Sequence, residues 1–255
     1  MELDLITFLI VCPLVFLAGF IDAIAGGGGL VSLPAYMIAG LPAHNAIATN
    51  KLSSSMGTTV STIRLSLASQ IPWKVVWIYV LCALAGSSGG AQLALLLPER
   101  IFKIIMLFII PFTALYLLFF KPTAKEKPSL SPKQTILRAA LTALLIGLYD
   151  GFYGPGTGTF LILLLTAFAH YKLGEANGIS KAVNLSSNTA ALVVYLFHGR
   201  GWLVLGLIAG LCNMLGNYIG ISFFKKKGSR IVLPLMLTVL AVFFVRVLYE
   251  LFFKQ

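Results

Sequence analysis

Charge is what this 255-residue chain has least of. Only 11% of its residues are Asp, Glu, Lys or Arg, and only 8 are acidic. An ordinary soluble domain carries roughly 25%. With 58% hydrophobic residues and a mean hydropathy of +0.94, one soluble core would leave too much apolar surface facing water. That excludes a soluble enzyme, a disordered chain and a free nucleic-acid-binding domain. Cysteine is scarce, and Cys12, Cys82 and Cys212 are too scattered for a disulfide framework or a cysteine metal site. His44, His170 and His198 show no His-x-x-x-His or Glu-rich spacing, so no metal or other cofactor is expected. Ser53–Ser55 lack a nucleophile motif and a nearby base, which argues against an intramembrane hydrolase and against an enzyme. The start, Met1-Glu2-Leu3-Asp4, has no basic region ahead of the apolar stretch, so that stretch reads as part of the mature fold. What remains is a polytopic membrane protein.

Charge-poor runs mark ten segments, near 5–24, 30–40, 44–68, 72–97, 100–120, 134–153, 158–170, 175–198, 201–224 and 230–252. Most have the ~20 residues needed to cross a bilayer core of about 30 Å. Segment 30–40 reaches only about 16 Å at 1.5 Å per residue, and 158–170 little more. Each follows a glycine-rich break. The two sets of five match one another. Gly19-Phe-Ile-Asp22-Ala-Ile-Ala-Gly26 corresponds to Gly147-Leu-Tyr-Asp150-Gly-Phe-Tyr-Gly154, an offset of 128. Further on the offset is 130: Lys51 with Lys181, Cys82 with Cys212, Gly86 with Gly216, Gly90 with Gly220, Arg100-Ile101 with Arg230-Ile231. The expected organisation is a first transmembrane repeat over 1–120, a linker over 121–133 and a second repeat over 134–255.

The net charge of +11 would suggest nucleic acid in a soluble protein. Here the basic residues lie mostly between apolar runs, where they set orientation. With the linker inside, alternation puts Arg64, Lys74, Lys121, Lys125, Lys127, Lys133, Arg138, Lys172, Lys225, Lys226, Lys227 and Arg230 inside. Arg100, Lys103, Arg200 and Lys254 fall outside, and Lys51, Lys181 and Arg246 within spans. Both termini are then outside, and the matched Arg100 and Arg230 lie on opposite faces. The expected fold is all-α, with 8–10 membrane segments in two inverted repeats and short broken helices after the glycine loops. Many secondary transporters are built this way.

Gly26-Gly27-Gly28-Gly29 and Gly154-Pro-Gly156-Thr157-Gly158 are the breaks. A glycine loop entering a helix N-terminus offers unpaired N–H groups and the positive end of a dipole to an anion. Equally, such glycines serve tight turns or close packing, as Gly86-x-x-x-Gly90 and Gly216-x-x-x-Gly220 are expected to do. Lys51 and Lys181 lie deep in their segments, where a charge costs about 2.5–3.5 kcal/mol and needs a partner or a cavity. Asn50, Ser54, Ser55 and Thr58 accompany the first, and Asn184 and Asn188 the second, which makes one polar stripe per half. Asp22 and Asp150 each precede a break by four residues. Pairing with either lysine, accepting loop N–H groups and carrying a proton are all open to them. Glu175 reads as a first-turn residue that suits the helix dipole.

These paired elements, Gly19 to Gly29 with Thr49-Asn50-Lys51 and Gly147 to Gly158 with Ser180-Lys181-x-x-Asn184, resemble the TauE/SafE family over nearly the whole chain. The resemblance implies a cytoplasmic-membrane permease that exports sulfite or organosulfur anions. The residues point to an anion; sulfur and outward direction come from the resemblance alone. The chain departs from the family's usual pattern in having four consecutive glycines in its first break and no serine or threonine directly after them. The expected partners are a small anionic substrate, the lipid bilayer and a coupling proton, with no nucleic acid. A cation or metabolite carrier using Asp22 and Asp150, and a non-transporting scaffold or assembly protein, are the alternatives. A scaffold has no need of two buried lysines beside glycine breaks.

Overall fold

The structure is a computed structural model that describes residues 4–119 and 130–224, with positions 241, 244, 245, 248 and 249. The expected segment 230–252 and most of the linker lie outside the described residues. The described residues are all-helical: α1 Leu5–Ala25, α2 Gly29–Ile38, α3 Ala43–Leu67, α4 Trp73–Leu95, α5 Glu99–Phe119, α6 Pro132–Phe152, α7 Thr157–Ala167, α8 Leu173–Phe197 and α9 Leu203–Phe224.

Local chemistry sets the ends. The Asp4 carboxylate caps α1 by accepting from the Thr7 N–H at 3.0 Å and its hydroxyl at 2.7 Å. Gly26, at φ +75°, stops α1 in the left-handed region. Ser131 and Gln134 form a capping box and Pro132 occupies the first turn, so α6 starts two residues before the charge pattern suggests. Gly156, at φ +88°, opens α7. Helices α2 and α7 have 10 and 11 residues, about half the length needed to span.

Among the described residues four helices, α1, α4, α6 and Leu203–Ser222 of α9, are long and apolar enough to cross a membrane. Their outer faces carry Leu9, Trp77, Leu81, Leu145, Leu207 and Leu215, all exposed. Lipid is as apolar as leucine, so helices must associate through close packing and polar contacts. Two glycine seams do this. Gly86 and Gly90 of α4 lie against the Leu144 and Leu148 carbonyls of α6, and Gly151 lies against Ser87. Gly216 and Gly220 of α9 lie against Phe16 and Phe20 of α1. The seams are reciprocal: the fourth helix of each half packs on the first helix of the other. Between them run α3 and α8, each 25 residues long, which touch one another and also α9 and α4 respectively. Neither is apolar enough to count as a span by composition, because each carries many polar residues, and these face inward: Asn50, Lys51, Ser53 and Thr58 on α3, and Ser180, Lys181, Asn184 and Asn188 on α8 are all buried.

Candidate functional site

The two breaks meet. The Thr159 N–H donates to the Gly26 carbonyl at 3.1 Å, and the Thr159 hydroxyl donates to the Ala25 carbonyl at 2.8 Å. A Cβ on Gly158 would lie 2.7 Å from Gly26 Cα, and one on Gly29 would lie 3.1 Å from Pro155 Cα. Close approach therefore requires glycine here, as well as the left-handed turns at Gly26 and Gly154. Among the described residues no backbone carbonyl accepts from the N–H of Gly28, Gly29 or Gly158. These starts of α2 and α7 line one polar cavity.

That cavity, about 20 Å³ in this structure, is also lined by Asp22, Gly26, Asn50, Lys51, Ser54, Thr58, Asp150, Gly154, Gly156, Thr157, Asn184, Asn188 and Asn213. Its size matches a water molecule or so, so a larger solute requires the helix ends to part. Of the expected residues, three stand off its wall. Gly27 lies in the loop behind it. Ser55 turns back and donates to the Lys51 carbonyl at 2.7 Å. Lys181, fully buried, sits behind Asp22.

The charges pair crosswise between the halves. Lys51 Nζ on α3 is 2.8 Å from Asp150 Oδ1 on α6. Lys181 Nζ on α8 is 2.8 Å from Asp22 Oδ2 on α1 and also donates to the Asp22 backbone carbonyl. Asp150 Oδ1 accepts a second bond from the Thr157 hydroxyl at 2.7 Å, while its Oδ2, buried, has no hydrogen-bond partner among the described residues. At offset 128 the position matching Thr157 is Gly29, so Asp22 has no equivalent hydroxyl. Gly154 is constrained by the pair itself, since a Cβ there would lie 2.8 Å from Lys51 Nζ.

Pairing with a lysine was one of the roles open to Asp22 and Asp150, and it is the arrangement seen here. Both lysines are matched by carboxylates, so the cluster is formally neutral. Attraction for an anion must come from the helix starts and amide N–H groups, or from a carboxylate yielding its lysine. A buried pair contributes little net stability, but removing one partner is costly because the other is left uncompensated.

Sequence reasoning missed Gly26 and Gly154 as lining residues, and Asn213 altogether. The signal for Asn213 was present: Asn213 and Asn217 are two amides four residues apart in the otherwise apolar α9, and both are buried. Among the described residues no group of three or more His, Cys, Asp or Glu is placed to hold a metal ion.

A lipid-facing helical bundle that breaks two helices around paired buried charges belongs to the class of multi-pass membrane transporters, whose partners are the bilayer and a small-molecule substrate. More narrowly, the chain belongs to the TauE/SafE family: the model for "Sulfite exporter TauE/SafE" matches residues 11–247. Its relatives are named as transporters, not enzymes. It is 35% identical over 246 residues to a "Probable membrane transporter protein ORF9" of Sinorhizobium sp, covering 96% of this chain and 93% of that protein. It is 30% identical to the "Probable membrane transporter protein YfcA" of Escherichia coli K12, over 92% of this chain and 87% of that one. A "Probable membrane transporter protein" of Haemophilus influenzae is 29% identical, with 92% of each chain covered. No solved structure matches the chain.

Proposed function

We propose that this protein is a secondary transporter that carries a small sulfur oxyanion, sulfite or an organosulfonate, outward across the cytoplasmic membrane. The observation that carries the reading is the meeting of two broken-helix starts with the crossed pairs Lys51–Asp150 and Lys181–Asp22 in one polar cavity. Gly28, Gly29, Asn50, Lys51, Ser54, Gly156, Thr157, Gly158, Asn184 and Asn188 form the substrate site. Lys181 acts through Asp22, and Gly27 and Ser55 shape the backbone behind them. The two halves act as inverted repeats, with the 121–133 linker inside and both termini outside. The reciprocal seams support that reading.

Neutrality gives a reason for proton coupling. The empty cluster carries no net formal charge, so a bound monoanion leaves one uncompensated negative charge in a low-dielectric site. A proton on Asp150 or Asp22 removes it, and frees a lysine for the anion at the same time. Co-transport of a monoanion with one proton is electroneutral. The anion alone would instead be driven by the membrane potential, at about 2.3 kcal/mol per charge per 100 mV. Each carboxylate already holds a lysine, which argues against a cation carrier.

The test is uptake of sulfite, thiosulfate, sulfate and sulfoacetate into proteoliposomes, with a pH gradient and a potential imposed separately. Saturable uptake of a sulfur anion supports the reading, and its dependence on one gradient or the other identifies the driving force. No uptake of any of the four contradicts it.

A further inference from the structure

We propose that Asn213 is a substrate-binding residue, and that three oriented amides make the cavity a cage of hydrogen-bond donors suited to an oxyanion; this rests on the anion-carrier reading above. The amides share one arrangement. In each, the carbonyl oxygen is occupied by the residue four positions on in the same helix. Asn217 Nδ2 donates to Asn213 Oδ1 at 2.8 Å, Asn188 Nδ2 donates to Asn184 Oδ1 at 3.1 Å, and the Ser54 hydroxyl donates to Asn50 Oδ1 at 3.4 Å. An amide whose oxygen is taken from one side has its two N–H donors left for the other. All three residues line the cavity, and in the proposed cage those donors serve it.

Asn213 is the most firmly held of the three. Asn217 also donates to the Asn213 backbone carbonyl at 3.2 Å, and Asn217 Oδ1 in turn accepts from the Ser61 hydroxyl of α3. That chain, buried throughout, fixes which way both amides point. Space is reserved for them: a Cβ on Gly57 would overlap Asn213 Oδ1 and lie 2.6 Å from Asn217 Nδ2. At offset 130 the counterpart of Asn213 is Ala83, which packs against Gly147 and has no donor. The cage is therefore one-sided. With Asp22 and Asp150 held by their lysines, the remaining side-chain donors favour a ligand that presents only acceptor oxygens. An ammonium or guanidinium ligand would meet these N–H groups, with Asn188 and with Asp150, which is already paired with Lys51, as its acceptors.

The experiment is the concentration dependence of 35S-labelled sulfite uptake into proteoliposomes for the full-length wild type, Asn213→Ala and Asn213→Asp. Losing one hydrogen bond to a charged ligand should raise the half-saturating concentration about tenfold in Asn213→Ala, with the maximal rate nearly kept. Asn213→Asp, which replaces donors with a negative acceptor, should raise it further. If the aspartate variant does not fold, the alanine variant carries the test alone. A half-saturation for Asn213→Ala equal to wild type overturns this assignment while leaving the transport reading intact. Absence of uptake by the wild type, for sulfite and for the other three anions, overturns the transport reading and this assignment with it.

Discussion

Replacing Lys51 with methionine keeps most of the side chain's length and removes its charge. In the structure this strands Asp150, whose side chain is 2% exposed and whose Oδ2 already has no hydrogen-bond partner among the described residues. Only the Thr157 hydroxyl would remain to stabilise the carboxylate. Removing one member of a buried pair costs about 3–5 kcal/mol. At roughly 2–4 °C per kcal/mol for a chain of this size, the melting temperature in mild detergent should fall by roughly 6–20 °C. Adding Asp150→Asn removes the stranded charge, so the double variant should recover much of the loss. The cycle Lys51→Met with Asp150→Asn should then give a coupling energy of about 3 kcal/mol, the upper end for contacting residues. The uncrossed cycle, Lys51→Met with Asp22→Asn, lacks the 2.8 Å contact and should give well under half of that. Unfolding followed by the fluorescence of Trp73, Trp77 and Trp202 reports both cycles. An uncrossed coupling as large as the crossed one would refute the pairing between halves.

Other consequences can be checked separately. Under proton coupling, Asp150→Asn or Asp22→Asn should keep anion exchange in proteoliposomes but lose acceleration by a pH gradient; undiminished pH-driven uptake in both variants would remove the proton from the cycle. Gly158→Ala brings a methyl group 2.7 Å from Gly26 Cα, and overpacking of this kind costs about 1–3 kcal/mol. Its melting temperature should fall and its transport should be lost, whereas Gly174→Ala, with nothing within 4 Å of the added Cβ, should leave both unchanged; equal behaviour of the two would mean the breaks tolerate separation. In a background with Cys12, Cys82 and Cys212 replaced by serine, Lys74→Cys should react with an impermeant thiol reagent only from the cytoplasmic side and Arg200→Cys, in the corresponding loop of the second half, only from outside. Labelling of both from one side would end the inverted topology.

The boundaries were readable because they rest on local chemistry. Gly26 ends α1, Gly156 opens α7, and the two short helices follow from the distance between those breaks and the next polar turn. The polar stripes of α3 and α8 were readable from spacing, since residues three, four and seven apart share a face whatever surrounds them. The crossing of the ion pairs was not. A register of 128 to 130 says which residues correspond, Lys51 with Lys181 and Asp22 with Asp150, but not which ones touch. That depends on α1 packing on α9 and α6 on α4, which is decided by glycine seams between the halves, and the register does not say which glycine meets which helix. Asn213 did leave a signal, its pairing with Asn217 in an apolar helix, but its place at the cavity depends on packing in the same way, since its helix lies opposite Gly19 and Gly57.

Lys51 and Lys181 tie the two halves together at the breaks. The measurement is the initial rate of sulfite uptake into proteoliposomes for the wild type, Lys51→Ala and Lys181→Ala, each shown by size-exclusion chromatography to be folded. Saturable uptake by the wild type and loss of nearly all of it in both variants is the predicted result. Wild-type rates in both variants would show that the crossed pairs are scaffolding and that the anion passes elsewhere.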